Sequence, residues 1–421
     1  MSLQHKLARL SDELSDELQQ HILPFWMNRM IDDHGGGFHG ALDHQADPVA
    51  SDKSGVLNTR ILWTFSAAYR LLRDPSYLVL ARRALLTVRN DFWDPVHGGI
   101  FWSVAGDGTV RDNRKHIYTQ AFAIYGLAEY YLACRDDQAL ALADSLFDLI
   151  EKHAYRDDGT GYHEAFSNDW QPMDDTRLGS NDIHAARTFN THLHLLEAFT
   201  HLYRARPDDL LKDRLAELIA IHIDSMYDAD SRHILSYFDE NLNPVSPRYS
   251  YGHDIEAAWL LYDAAAEIGN NDQLESCSKI LFDLADITIT EGSDPAPGGI
   301  CDTGERGDVA DAGKQWWAQA EALTGYLYAY LLSADEKYIS EAERVWDFTK
   351  KHFVDRENGE WYFRLDAAGK PDLSDHKAGP WKCPYHTSRT CLLYTALAMD
   401  TAGNTPFTIL HSKKHLPVEL P

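Results

Sequence analysis

One feature restricts this chain more than any other: a turn rich in glycine and in aromatic or histidine residues that keeps returning. It reads GGGFHG at 35–40, HGGIFWS at 97–103, GTGYHEAF at 159–166, HILSYFDE at 233–240, PGGICDTGE at 297–305 and NGEWYFRL at 358–365. From Phe38 through Phe101, His163, Tyr237, Cys301 and Tyr362 the steps are 63, 62, 74, 64 and 61 residues. Self-similarity at a near-constant step is the mark of a repeat architecture, in which units stack to bury faces that none could bury alone.

Between the turns run segments with apolar residues at helical spacing, such as NTRILWTFSAAYRLL at 58–72, YTQAFAIYGLAEYYLA at 118–133 and IEAAWLLYDAAAEIG at 255–269. Ala, Leu and Glu dominate them and β-branched residues are sparse, which favours helix over strand. Each repeat has room for about two helices at roughly 1.5 Å of rise per residue. The predicted fold is all-α, six helical hairpins closed into an (α/α)6 barrel, with an open solenoid as the alternative. Closure is preferred because several helices carry polar clusters with aromatics, as a central pocket requires. No Pro- or Ser-rich linker divides the chain, so residues 1–421 read as a single catalytic domain. Periodicity fades after Gly403, and 403–421 reads as an irregular tail.

A formal net charge of −26 sets this chain against nucleic acid and anionic membranes, where phosphate would be repelled. No run is long and apolar enough for a membrane span, and the polar first twenty residues do not suit a signal peptide. Five scattered cysteines without a CxxC suit neither a disulfide framework nor a zinc knuckle. A cytoplasmic home and a small neutral partner are expected. Phosphate-cradling loops, dinucleotide fingerprints, GxSxG and HExxH are all missing, so no cofactor and no metal is expected.

Three histidines sit in rich contexts. In NTHLHLLE, Asn190, His194 and Glu197 share one helix face, while His192 points elsewhere, so the H-x-H pair is a poor metal chelate. The plainer reading of His194 is a buried imidazole satisfied by Glu197. In YGHDIE, Glu256 follows His253 by one turn and is placed to hold that ring's orientation and tautomer, either for proton transfer or as a structural pair. In KAGPWKCPYHTSR, two prolines stiffen a segment bearing Trp381, Tyr385 and His386, a good mount for a catalytic imidazole. Aromatics form a second theme. Trp316 and Trp317 precede Glu321, and flat rings stack on sugar faces, although core filling explains most of the 11 tryptophans. Adjacent Trp316 and Trp317 cannot both face the core, so one is expected to face the pocket.

These motifs, together with the Arg60 segment, KHIYTQAF at 115–122, KQWWAQAEA at 314–322 and GPWKCPYH at 379–386, resemble the N-acylglucosamine 2-epimerase superfamily, most closely its cellobiose 2-epimerase branch. The similarity runs from about Asn58 to Arg389. It implies a barrel of six helix pairs and a cofactor-independent sugar 2-epimerase. On the matching positions it implies that His253 and His386 are the acid/base pair, and that Arg60 and His194 stabilise an enediolate. Glu256 and Glu321 would orient the histidines or bind hydroxyls. Tyr118, Phe122, Asn190, Trp316, Trp317 and Trp381 would line the pocket, with Asp182 reaching a second sugar. The expected substrate is a β-1,4-linked disaccharide with glucose at its reducing end. Alternatives are mannose 2-epimerase, an aldose–ketose isomerase of mannose and glucose, N-acylglucosamine 2-epimerase and, outside the class, a glycoside hydrolase using Asp302, Glu305 or Glu321, or a sugar-binding protein without catalysis. Oligomeric state is not readable.

Overall fold

The structure is a computed structural model and describes residues 3–179 and 182–399; the expected tail at 403–421 lies outside the described residues. In chain order the helices are α1 (Leu3–Glu17), α2 (Leu23–Arg29), α3 (Gly55–Leu72), α4 (Pro75–Thr87), α5 (Ile117–Cys134), α6 (Asp137–His153) and α7 (Phe189–Ala205). They continue as α8 (Asp209–Ile221), α9 (Tyr251–Ile268), α10 (Asn271–Ile287), α11 (Trp316–Ser333), α12 (Glu336–His352) and α13 (Tyr385–Met399). A single wide helical turn, Leu18–Ile22, joins α1 to α2.

Six helices form an inner ring: α3 packs on α5, α5 on α7, α7 on α9, α9 on α11, α11 on α13, and α13 returns to α3. That last contact closes the ring and decides for a barrel over a solenoid. The inner helices are buried almost all round, which is why they read as continuous apolar runs. The outer helices bury one stripe each.

Five of the six inner–outer pairs are sequence neighbours: α3/α4, α5/α6, α7/α8, α9/α10 and α11/α12. The sixth is not a hairpin. The inner helix α13 is backed by α1 from the other end of the chain, and α1 also packs on α12. Across this seam Arg9 Nη2 bonds Glu343 at 2.9 Å and Trp346 Nε1 donates to Glu13 at 2.7 Å, above the buried side chains of Leu10 and Leu14.

The recurring turns close as small antiparallel bridges, Ile31 to Phe38, Trp93 to Ile100, Tyr155 to Tyr162, Tyr227 to Ile234, Ser293 to Ile300 and Val354 to Trp361. The equivalent positions are therefore Phe38, Ile100, Tyr162, Ile234, Ile300 and Trp361, one residue before most of the anchors chosen from sequence. Each bridge buries the residue nearest the closing hydrogen bond, and that is not always the aromatic one. Side chains from the inner helices pin these turns. Gln120 binds both backbone groups of Ile100, and Gln319 those of Ile300. His192 Nε2 accepts from Tyr162 N at 3.1 Å. Gly161 sits beneath that ring at φ +80°, where a Cβ would lie 2.5 Å from His192 Nε2. A buried ion pair recurs as well, Lys53–Asp32, Lys115–Asp94, Lys314–Asp294 and Lys377–Asp355, at 2.6–2.9 Å.

Short strands carry the chain into the inner helices. Lys53–Ser54, Ser103–Val104 and Val110–Asp112 form one three-stranded antiparallel sheet, and Arg248–Ser250, Thr303–Glu305 and Asp308–Asp311 another. Side-chain caps then start the helices: Ser54 on α3, His116 on α5, Thr188 on α7 and Ser250 on α9. The N-terminal turns of the inner ring thus gather around one mouth of the barrel.

Candidate active site

That mouth holds a cleft of about 440 Å³, lined by Arg60, Tyr118, Asp182, Asn190, His194, His253, Glu256, Trp316, Trp317, Trp381 and His386, together with Leu178, Gly179, Gln315 and Phe363. The wall comes from the first two turns of all six inner helices, so residues far apart in sequence converge because each starts a helix at the same level. Gln315, Leu178, Gly179 and Phe363 were not foreseen: Gln315 and Phe363 lie in motifs singled out from sequence but were overshadowed there by the tryptophans, and Leu178 and Gly179 sit in a loop without a motif.

Trp317 stands between two imidazoles. Its ring centroid lies 4.9 Å from that of His253 and 5.5 Å from that of His386. Gly252 permits this, because a Cβ there would come within 2.6 Å of the indole. Trp316 also reaches the cleft but is almost wholly buried, packed against Phe363 at 4.7 Å. Trp381 meets Tyr118 and Trp102 edge-on at the rim.

The expected contact between His253 and Glu256 is not formed. Glu256 lies one turn on, but its Oε1 accepts from Arg389 Nη2 at 2.8 Å, and among the described residues the His253 ring has ring contacts with Phe189 and Trp317 and no side-chain hydrogen bond. An adjacent guanidinium outcompetes a neutral imidazole for a buried carboxylate. Phe122 likewise does not line the cleft; it lies beneath Arg60, whose guanidinium sits 4.0 Å from the ring. Glu321 is behind the wall, with Oε1 2.7 Å from His386 Nδ1. Glu197 Oε2 is 3.0 Å from His194 Nδ1, so His194 has the carboxylate partner of the plainer reading and still faces the cleft. Asp182 Oδ2 accepts from Gly179 N at 2.8 Å, in a loop tied down where His116 Nε2 meets Thr176 O at 2.8 Å.

Arg60 is a buried cation that pairs with no carboxylate among the described residues. Its Nη2 donates to Tyr118 OH at 2.7 Å and its Nη1 reaches Cys383 Sγ at 3.5 Å, while Nε has no partner. A cation stacked on aromatic rings at a cavity wall is suited to an anion formed inside. Burial lowers the imidazoles. His253 is brought to about 3, with His194 nearby adding to the effect. His386 is held well below the usual range by burial, with Arg60 and Arg389 adding like charge, and His194 is lowered by burial against its bond to Glu197. Burial thus favours the neutral form of all three.

Among the described residues, Glu256, Glu321 and His386 are the one group spaced to hold a metal ion. Arg389 Nη2 already bonds both carboxylates at 2.8 and 2.7 Å, so a guanidinium takes the place where a cation would sit. A second, more enclosed cavity of about 50 Å³ lies further along the inner helices, bounded by Trp63, Tyr125, His201, Trp259 and Tyr328, with Arg389 and Glu197 on its wall. Both ring nitrogens of its imidazole are engaged, His201 Nε2 with Glu129 at 2.8 Å and Nδ1 with Arg204 at 3.3 Å, whereas the cleft histidines keep a ring nitrogen for the cavity and are the proton-transfer candidates.

The family model described as N-acylglucosamine 2-epimerase (GlcNAc 2-epimerase) matches residues 36–390. The chain is 38% identical to the cellobiose 2-epimerase of Bacteroides fragilis, over 91% of this chain and 98% of that one. It is also 38% identical to a cellobiose 2-epimerase of Ruminococcus albus, over 92% and 99%. A solved cellobiose 2-epimerase from Bacillus thermoamylovorans superposes with a TM-score of 0.86 at 38% identity, covering 91% of this chain and 98% of the other. A D-mannose isomerase structure shares the fold at a TM-score of 0.81 and 22% identity. Ring, cleft and likeness agree: this chain belongs to the N-acylglucosamine 2-epimerase family.

Proposed function

We propose that the protein is a 2-epimerase interconverting the glucose and mannose configurations at the reducing end of a β-1,4-linked disaccharide such as cellobiose, with residues 1–421 acting as one catalytic unit. The observation that carries this is the pair of imidazoles flanking Trp317 in one cleft with a buried Arg60 that bonds no carboxylate among the described residues. Relatives at 36–38% identity over about nine-tenths of the chain, named cellobiose 2-epimerases, support the substrate class.

Once the sugar ring is open, the aldehyde acidifies the hydrogen on C2. One imidazole of the His253–His386 pair takes that proton, leaving a planar enediolate whose charge Arg60 and His194 stabilise. The other imidazole must enter this step carrying a proton taken up from solvent; it returns that proton to the opposite face of C2, so the two rings exchange protonation states in each turnover. One proton is taken and one is given, and the configuration inverts. Tyr118 and Asn190 are placed to bond hydroxyls, and the unpartnered Oδ1 of Asn190 supports that role. Trp317 and Trp381 would stack on the sugar rings, and Asp182 would meet the second sugar. Five thiols, none of them in a disulfide, support a cytoplasmic home, and the strongly negative charge supports a partner other than nucleic acid. No helix among the described residues is long and apolar enough to cross a membrane.

The test is incubation with cellobiose, glucose and mannose in deuterated water. Deuterium at C2 of cellobiose with formation of the mannose epimer is expected. Ketose as the main product would make the enzyme an isomerase, bond cleavage would make it a hydrolase, and no exchange would leave only a binder.

A further inference from the structure

We infer that Arg389 is a positioning residue that fixes the tautomers of His386 and His194, keeping each Nε2 free of its proton toward the cleft. This rests on the proton-transfer reading of His386 and deepens it.

The geometry is a hub. Around the Arg389 guanidinium stand three buried carboxylates: Glu197, bonded to Nη1, and Glu256 and Glu321, bonded to Nη2 at 2.8 and 2.7 Å. Tyr385 OH bonds both Glu197 and Nη1. Two of the carboxylates reach onward to an imidazole. Glu321 Oε1 lies 2.7 Å from His386 Nδ1, and Glu197 Oε2 lies 3.0 Å from His194 Nδ1. Both Nδ1 atoms are thus engaged, and Nε2 is the ring nitrogen left for the cleft.

Which way each proton points depends on the charge of the carboxylate. An ionised carboxylate only accepts, so it selects the tautomer with hydrogen on Nδ1 and a lone pair on Nε2. A protonated one donates, and the imidazole must then accept at Nδ1 and carry its hydrogen on Nε2. A base with hydrogen on its working nitrogen cannot take a proton from carbon. Three carboxylates in a buried space resist ionisation, by desolvation and by mutual repulsion. Arg389 is the single cation that touches all three. Burial raises Glu197, yet Arg389 and His194 outweigh it and hold it at about 2. Burial leaves Glu321 above the ordinary carboxylate range and Glu256 well above it, with Arg389 the strongest influence pulling Glu321 back, so Glu321 is the carboxylate that depends most on that cation.

The experiment combines nitrogen-15 NMR of the imidazoles with kinetics on full-length protein. In the unmodified enzyme at neutral pH the His386 resonances, assigned by their loss in His386→Ala, should show a protonated Nδ1 and a bare Nε2. Arg389→Met should move the proton to Nε2 and lower kcat by about 100-fold with KM changed by less than about threefold. Arg389→Lys should keep the Nδ1–H tautomer and recover part of kcat. Finding the Nε2–H tautomer in the unmodified enzyme overturns the proposal without any substitution, so a failure of Arg389→Met to fold does not shield it. An unchanged tautomer in a folded Arg389→Met overturns it too. If His386→Ala itself turns over normally, the proton-transfer reading falls instead, and the tautomer measurement still decides what Arg389 does.

Discussion

His253 and His386 share a neighbour in Trp317 but differ in their surroundings. His386 is hydrogen-bonded to Glu321, whereas the His253 ring packs between Phe189 and Trp317 with no side-chain hydrogen bond among the described residues. Replacing either with alanine should remove turnover, by about 100-fold or more, while circular dichroism stays unchanged. Near-normal activity in either folded variant would refute the two-imidazole assignment. Burial also fixes a direction in pH. A base is lost as pH falls through its pKa, and burial takes His253 from the ordinary 6.5 toward about 3. The acidic limb of kcat/KM, which reports the free enzyme, should therefore lie below pH 6.5; a limb at or above that value would contradict neutral resting imidazoles. At this scale much was legible in sequence, because His194, His253 and His386 each sit in an unusual run of neighbours. The pairing of His253 with Glu256 misled for a physical reason: spacing along one helix says who can meet, and Arg389, arriving from another helix, decided who did.

The first turns of the inner helices do the chemistry, so the packing between those turns sets its precision. Gly252 on α9 lets the Trp317 ring of α11 lie directly on the helix start. Gly252→Ala should push the indole away from both imidazoles and lower kcat between about 10- and 100-fold with little loss of helix. Unchanged kcat would show that the indole's place is not critical. The buried Lys115–Asp94 pair holds the turn ahead of α5. Lys115→Met would strand a buried carboxylate and should cost about 3 kcal/mol in urea unfolding, and a loss under about 1 kcal/mol would argue that the turn relaxes freely. Helices and turns were both readable from periodicity and glycine. The exact bridge positions were not, since an aromatic one residue away gives a similar pattern.

As a whole, the molecule is a ring whose two ends supply the last inner–outer pair. Sequence periodicity gave six units but read the sixth as another hairpin, because periodicity carries no information about which ends meet. Leu14 of α1 is fully buried at that seam. Leu14→Ala should cost roughly 2–5 kcal/mol and leave unfolding a single cooperative step; two separate steps would show that the seam opens independently. The same closure brings α13 onto α3, and with it His386 and Arg60 into one cavity. The reacting centre is therefore the joint of the hoop itself. The joint exists only once the final inner helix is present, so competence arrives all at once with that helix rather than growing by sixths.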